Sequence, residues 1–105
     1  MIDWQSHLEQ TGYPVDYHHF PDGKEPKVPY IVWFIPTEDR KGSDDRALLS
    51  DDTIMIELYH KKKDNQSELV LEELLRNFEY RKNKSWVTTE NLYLVAYEIQ
   101  LLRRL

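Results

Sequence analysis

The stretch Pro29 to Pro36, PYIVWFIP, sets six consecutive apolar or aromatic residues between two prolines. A run this short, rich in Val, Ile and aromatics and bounded by residues that cannot donate a ladder hydrogen bond, predicts a strand with no water-facing side. Strands of that kind are covered on both faces. A chain of 105 residues with 40% apolar content has few side chains to spare for two layers of cover. Two arrangements satisfy the run: helices on both faces of the sheet, or a neighbouring subunit on one of them.

The length predicts a single domain over residues 1–105 with one small core. Mean hydropathy is low, −0.73, so three Trp, seven Tyr and three Phe must supply much of the core's bulk. Charged residues make up 31% of the chain, the balance of a folded soluble protein rather than a disordered one. The net charge of −5 argues against a duplex nucleic-acid binder, which needs a basic face to displace counterions from phosphates. Cysteine is absent, which excludes disulfides and thiolate metal sites. No apolar run exceeds six residues, and MIDWQSHLEQ has neither a basic nor an apolar leader segment; an intracellular protein without a membrane span is expected.

Along the chain, IDWQSHLEQTGYP predicts a short helix capped by Asp3, with Trp4, His7 and Leu8 on one face and Gly12 as its stop. VDYHHF alternates as a short strand or extended arm, and PDGKEP breaks it. The strand Tyr30 to Ile35 follows. Thr37 to Asp52 is strongly charged, with only Ala47, Leu48 and Leu49 as apolar content, and is expected to be a long, mobile hairpin loop. DTIMIELYHKKK is a second strand, with Ile54, Ile56 and Leu58 on one face and Met55, Glu57 and Tyr59 on the other.

DNQSELVLEELLRNFEY is the clearest helix. Asn65 and Glu68 have capping-box spacing, and Val70, Leu71, Leu74, Leu75 and Phe78 form its apolar stripe. Glu72, Glu73, Arg76 and Asn77 are assigned to water. YRKNKSWVT predicts a strand at an edge, where lysines discourage stray pairing. For ENLYLVAYEIQLLRRL, periodicity allows strand and helix equally; its tyrosines and β-branched residues favour strand. The fold class is therefore α+β, a mainly antiparallel sheet of four to five strands packed by two helices, in the order α-β-β-β-α-β-β.

Catalytic and metal chemistry find little footing. His18 and His19 are adjacent on an extended segment, so their side chains should point to opposite faces, and no second histidine pair has ligand spacing. The pairs Asp44-Asp45 and Asp51-Asp52 lack the alternating ligands, central glycine and final glutamate of a calcium loop. There is no Gly-x-Ser-x-Gly elbow, and three glycines build no phosphate-cradling loop. No enzyme and no cofactor are expected. The basic cluster Lys61 to Lys63 and the tail pair Arg103-Arg104 are either solvated ends or charge partners for an acidic neighbour, such as the central loop of another copy. Candidate partner-binding residues are Asp44, Asp45, Arg46 and Leu48 of the loop and Lys61, Lys62 and Lys63.

Several stretches taken together resemble a family. They are Pro14 with Tyr17-His18-His19-Phe20, Pro29-Tyr30-Ile31-Val32, Ile56-Glu57-Leu58-Tyr59, Lys62-Lys63-Asp64, and Glu90-Asn91-Leu92-Tyr93 with Tyr97-Glu98. In this order, and over almost the whole chain, the pattern is similar to the small tail-completion or tail-terminator proteins of long-tailed phages and prophages of Gram-positive bacteria. The resemblance implies a structural virion protein that stops tail-tube polymerisation and joins tail to head connector as a subunit of a hexameric ring. The implied partners are other copies of the chain, the tail-tube protein and the head-connector protein. The implied location is the virion, with the host cytoplasm during assembly. It also implies that Leu92 to Leu101 is a strand. The acidic central loop and the ending LLRRL depart from the family's pattern and bear on partner contacts. From another class, a small monomeric phage-encoded protein that binds and inhibits a host protein fits the residues as well; a nuclease or hydrolase accessory domain is a weaker third reading.

Overall fold

The computed structural model describes residues 2–36 and 53–101. The elements follow the chain as α1 (Trp4–Glu9), β1 (Val15–Tyr17), β2 (Tyr30–Phe34), β3 (Thr53–His60), α2 (Asn65–Leu74), β4 (Tyr80–Val87) and β5 (Leu92–Gln100). The expected α-β-β-β-α-β-β order holds, and the fold is α+β. The five strands form one sheet in the order β1-β2-β3-β5-β4. All neighbours are antiparallel except β1 and β2, which run parallel with Val15 opposite Ile31.

Helix α1 is too short to persist alone. Asp3 caps it by accepting from the Ser6 amide at 3.3 Å, and Trp4 and Leu8, one turn apart, are buried. The chain leaves it through Gly12 at φ +88°, a conformation that favours glycine. Gln5 fastens α1 to the sheet: its amide donates to the Val15 carbonyl at 2.9 Å, and its oxygen accepts from the Trp33 indole at 2.8 Å.

The core lies between the helices and one sheet face. On that face Ile54, Ile56 and Leu58 of β3 stand opposite Ile99, Tyr97 and Val95 of β5, and all six join Trp4, Leu8, Leu71 and Leu75 in one cluster. The strict alternation read from β3 is present, and His60 extends its buried row. The two-way ambiguity at the C-terminus resolves to a strand: β5 is central in the sheet, and pairing on both sides satisfies backbone groups that a helix would have bonded internally.

The run that opened the sequence reading is buried over Tyr30, Ile31 and Val32 and only half-buried at Trp33 and Phe34. Ile31 faces the core. Tyr30 and Val32 face the opposite side, where residues 18–29 return from β1 to β2. Two parallel neighbours need a crossover of about a dozen residues, and this irregular arm supplies it. Phe20, on the arm, packs edge-on against Tyr30 with ring centroids 5.3 Å apart.

Two other expectations are corrected. Helix α2 is capped by Asp64, which accepts from the Ser67 amide at 3.2 Å, and not by an Asn65–Glu68 box. Glu68 turns inward, and Glu72, assigned to water, is drawn to Lys82 and Tyr97. The stripe itself is as expected at Leu71 and Leu75, which are fully buried.

Candidate interaction surfaces

Of the partner-binding candidates, Asp44, Asp45, Arg46 and Leu48 lie outside the described residues, as does the hairpin loop expected over 37–52. Lys61, Lys62 and Lys63 form the exposed turn from β3 to α2, closed by the Asp64 amide on the Lys61 carbonyl at 3.0 Å. None of the three lysines forms an ion pair among the described residues. All three are exposed.

The densest polar cluster is one that the sequence reading dispersed. Glu68, 7% exposed, receives Lys84 at 2.7 Å, Lys82 at 2.9 Å and His60 Nε2 at 2.6 Å. The Nδ1 of His60 lies 2.7 Å from the Lys61 carbonyl. Both ring nitrogens of His60 thus lie within hydrogen-bond distance of an oxygen acceptor. Lys82 also meets Glu72 at 2.6 Å, and Glu72 accepts from the Tyr97 hydroxyl at 2.7 Å. Burial pushes the Glu68 carboxyl up, but hydrogen bonds from Lys84, Lys82 and His60, with the Lys82 charge, outweigh it and bring the pKa down to about 2. For Lys82 burial acts downward, and its bonds to Glu72 and Glu68 prevail and raise it. Every named group is bonded, which makes the cluster a fastening of α2 to β3 and β4. The lysines expected to guard the β4 edge turn inward here. A sequence signal existed: His60 continues the row Ile54-Ile56-Leu58, and Lys82 and Lys84 share one face of a strand. Their meeting with Glu68 depends on how α2 lies on the sheet.

A second feature sits on the side of the sheet opposite α1 and α2. The crossover arm and the ends of β2 and β3 line an open groove of about 290 Å³ whose walls include Phe20, Tyr30, Tyr59, Glu25, Glu57 and Glu90. The Tyr30 and Tyr59 rings stack at 4.9 Å with 25° between their planes, because the two residues are directly paired across β2 and β3. Tyr59 donates to Glu57 at 3.0 Å. Burial, and then the Glu90, Glu25 and Glu57 carboxylates, raise the Tyr30 phenol. Burial first and Glu57 second raise Tyr59 further. His18 and His19 also line this groove. They were expected on opposite faces, yet their rings lie 5.2 Å apart, because His18 takes φ +72° and breaks the alternation. Among the described residues no group of three or more His, Asp or Glu is close enough to hold a metal ion.

The remaining surface is the rest of the sheet's second face. Phe34, Met55, Leu94 and Ala96 lie there half-buried, and no described helix covers them. It runs out to β4, the sheet's eight-residue edge strand, whose residues 81–86 are exposed. Among the described residues no helix is long and apolar enough to cross a membrane. Comparison with family models, with curated proteins and with solved structures found no match.

Proposed function

We propose that this chain is a structural subunit of a phage tail, ending the tail tube and joining it to the head connector as one member of a ring. The observation that carries the reading is the sheet face that no described helix covers, half-buried at Phe34, Met55, Leu94 and Ala96 and continuous with the β4 edge. A second copy is the occupant that suits it. Contact between two different surfaces of identical chains, here the β4 side and the β1 side of the sheet, closes into a ring when the rotation allows. The resemblance of the Tyr17–Phe20, Pro29–Val32, Ile56–Tyr59 and Glu90–Tyr93 stretches to tail-completion proteins supplies the tail as the setting.

Native mass spectrometry over a wide concentration range, with and without assembled tail tubes, tests it. Concentration-dependent rings, hexamers by the resemblance, or a ring seated on the tube end are the expected results. A chain that stays monomeric at every concentration and leaves tube ends unoccupied overturns the proposal and favours the monomeric inhibitor.

A further inference from the structure

The two edges of the sheet are finished differently. On β1, the Ile31 amide donates to the Pro14 carbonyl and the His18 amide to the Trp33 carbonyl, which leaves Val15 and Tyr17 facing outward. Their outward groups are engaged within the chain. The Val15 carbonyl accepts from Gln5 at 2.9 Å, the Tyr17 amide donates to Asp16 at 2.8 Å, and the Tyr17 carbonyl accepts from the His19 amide at 2.8 Å. A three-residue strand closed in this way offers little template to another strand.

Strand β4 is the opposite case. The Gln100 amide donates to the Glu79 carbonyl at 3.3 Å, one step beyond the Tyr80–Ile99 pair. Bonded and unbonded pairs alternate along an antiparallel ladder. Arg81, Asn83, Ser85 and Val87 therefore turn their backbone groups to β5, and Tyr80, Lys82, Lys84 and Trp86 turn theirs outward. Among the described residues nothing bonds to those outward amides and carbonyls. Solvated lysines ordinarily guard such an edge. Here Lys82 and Lys84 are held by Glu68 and Glu72 of α2, and Trp86 near the strand's end is 40% exposed.

We propose that β4 pairs with the β4 strand of a second copy, antiparallel, about a two-fold axis through Asn83. Length and register argue for this occupant. Eight residues meet eight, and outward residues stand opposite outward residues: Tyr80 faces Trp86 of the partner subunit, and Lys82 faces Lys84 of the partner subunit. Each such pair exchanges both backbone bonds, so every outward group on the strand is satisfied. A slip of one residue sets outward groups against inward ones, and a slip of two leaves strand ends unpaired. Tyr80 and Trp86 already pack edge-on against Tyr97 and Tyr93, so the new contact extends an aromatic row. The facing lysines are tolerated because each ammonium already meets a carboxylate of α2. With β1 closed, pairing stops at two copies. The inference goes beyond the ring proposal and does not rest on it. Both engage the β4 side, so dimer and ring are alternative states, the dimer being that of the free chain.

Sedimentation equilibrium of the intact chain over a wide concentration range, with amide hydrogen exchange read residue by residue, tests the pairing. A monomer–dimer equilibrium is expected. The Lys82 and Lys84 amides should exchange fast in dilute protein and slow as the dimer forms, whereas those of Arg81, Asn83 and Ser85 should be slow throughout. Asn83 meets its own counterpart across the axis. N83D and N83K should therefore each weaken the dimer about fivefold at low salt, by setting like charges opposite one another. Mixing the two variants should restore it as a heterodimer. Thermal melting shows that both variants are folded, and the exchange measurement on the unsubstituted chain stands without them. A chain monomeric at millimolar concentration, a dimer that leaves the Lys82 and Lys84 amides unprotected, or variants that mixing does not rescue would each overturn the pairing. Rings on tube ends with no dimer in solution overturn this inference alone; dimers in solution beside bare tube ends overturn the ring alone.

Discussion

Replacing Glu68 by glutamine removes the one charge that His60, Lys82 and Lys84 share while keeping the side chain's size. The folded carboxyl has a pKa of about 2 against an ordinary 4.5. At about 1.36 kcal/mol per pH unit, that gap corresponds to about 3 kcal/mol of stability at neutral pH. The side chains of Lys82 and Lys84 are 36% and 33% exposed, so water screens part of it. The expected loss for Glu68→Gln at pH 7 is therefore about 2 kcal/mol. The sign of the pH dependence is fixed by the direction of the shift. A carboxyl more acidic in the folded state contributes fully above its unfolded pKa of 4.5 and loses that contribution as pH falls towards 2. Urea unfolding of both proteins, followed by tryptophan fluorescence from pH 7 down to pH 2.5, measures this directly. All other carboxylates are common to the pair, so the difference between the two curves isolates Glu68. It should be widest above pH 5 and narrow steadily below. A difference under about 0.5 kcal/mol at pH 7, the scale of an ordinary surface substitution, would refute the reasoning. So would a gap that stays constant with pH.

Asp64→Ala should cost about 1 kcal/mol by removing the cap of α2, whereas Asn65→Ala should stay within about 0.5 kcal/mol; chemical denaturation that ranks them the other way would restore the capping box. Tyr97→Phe deletes a buried hydroxyl that donates to Glu72 and should destabilise by about 1.5 kcal/mol, since Lys82 still holds the carboxylate. Burial and the bond to Glu72 push the Tyr97 phenol upward, so in an ultraviolet alkaline titration it should ionise only as the protein unfolds; its ionisation in the folded protein, before the unfolding transition, would contradict this.

Patterns with a period shorter than one element were legible in the sequence. The alternation Ile54-Ile56-Leu58, the stripe through Leu71 and Leu75, the Asp3 cap and the Gly12 stop each follow from local geometry, and each is present. What was misread depends on partners distant in the chain. Glu68 has capping-box spacing from Asn65, and only the position of β4 beneath α2 offers it Lys82 and Lys84 instead. His18 and His19 were separated by assuming regular extension, which one left-handed residue undid.

Residue by residue, the sequence by itself determined α1, β3 and α2, the order of the elements and the apolar rows of β3 and α2, because side-chain periodicity and capping are contests among neighbours. Tertiary structure alone decided that β1 lies parallel to β2, that β5 is a strand paired on both sides, that Phe20 of the arm packs on Tyr30, and that three glutamates and two tyrosines line one groove. Those outcomes come from cross-strand register and from the path of a crossover. Both bring together residues tens of positions apart, and no local pattern encodes either.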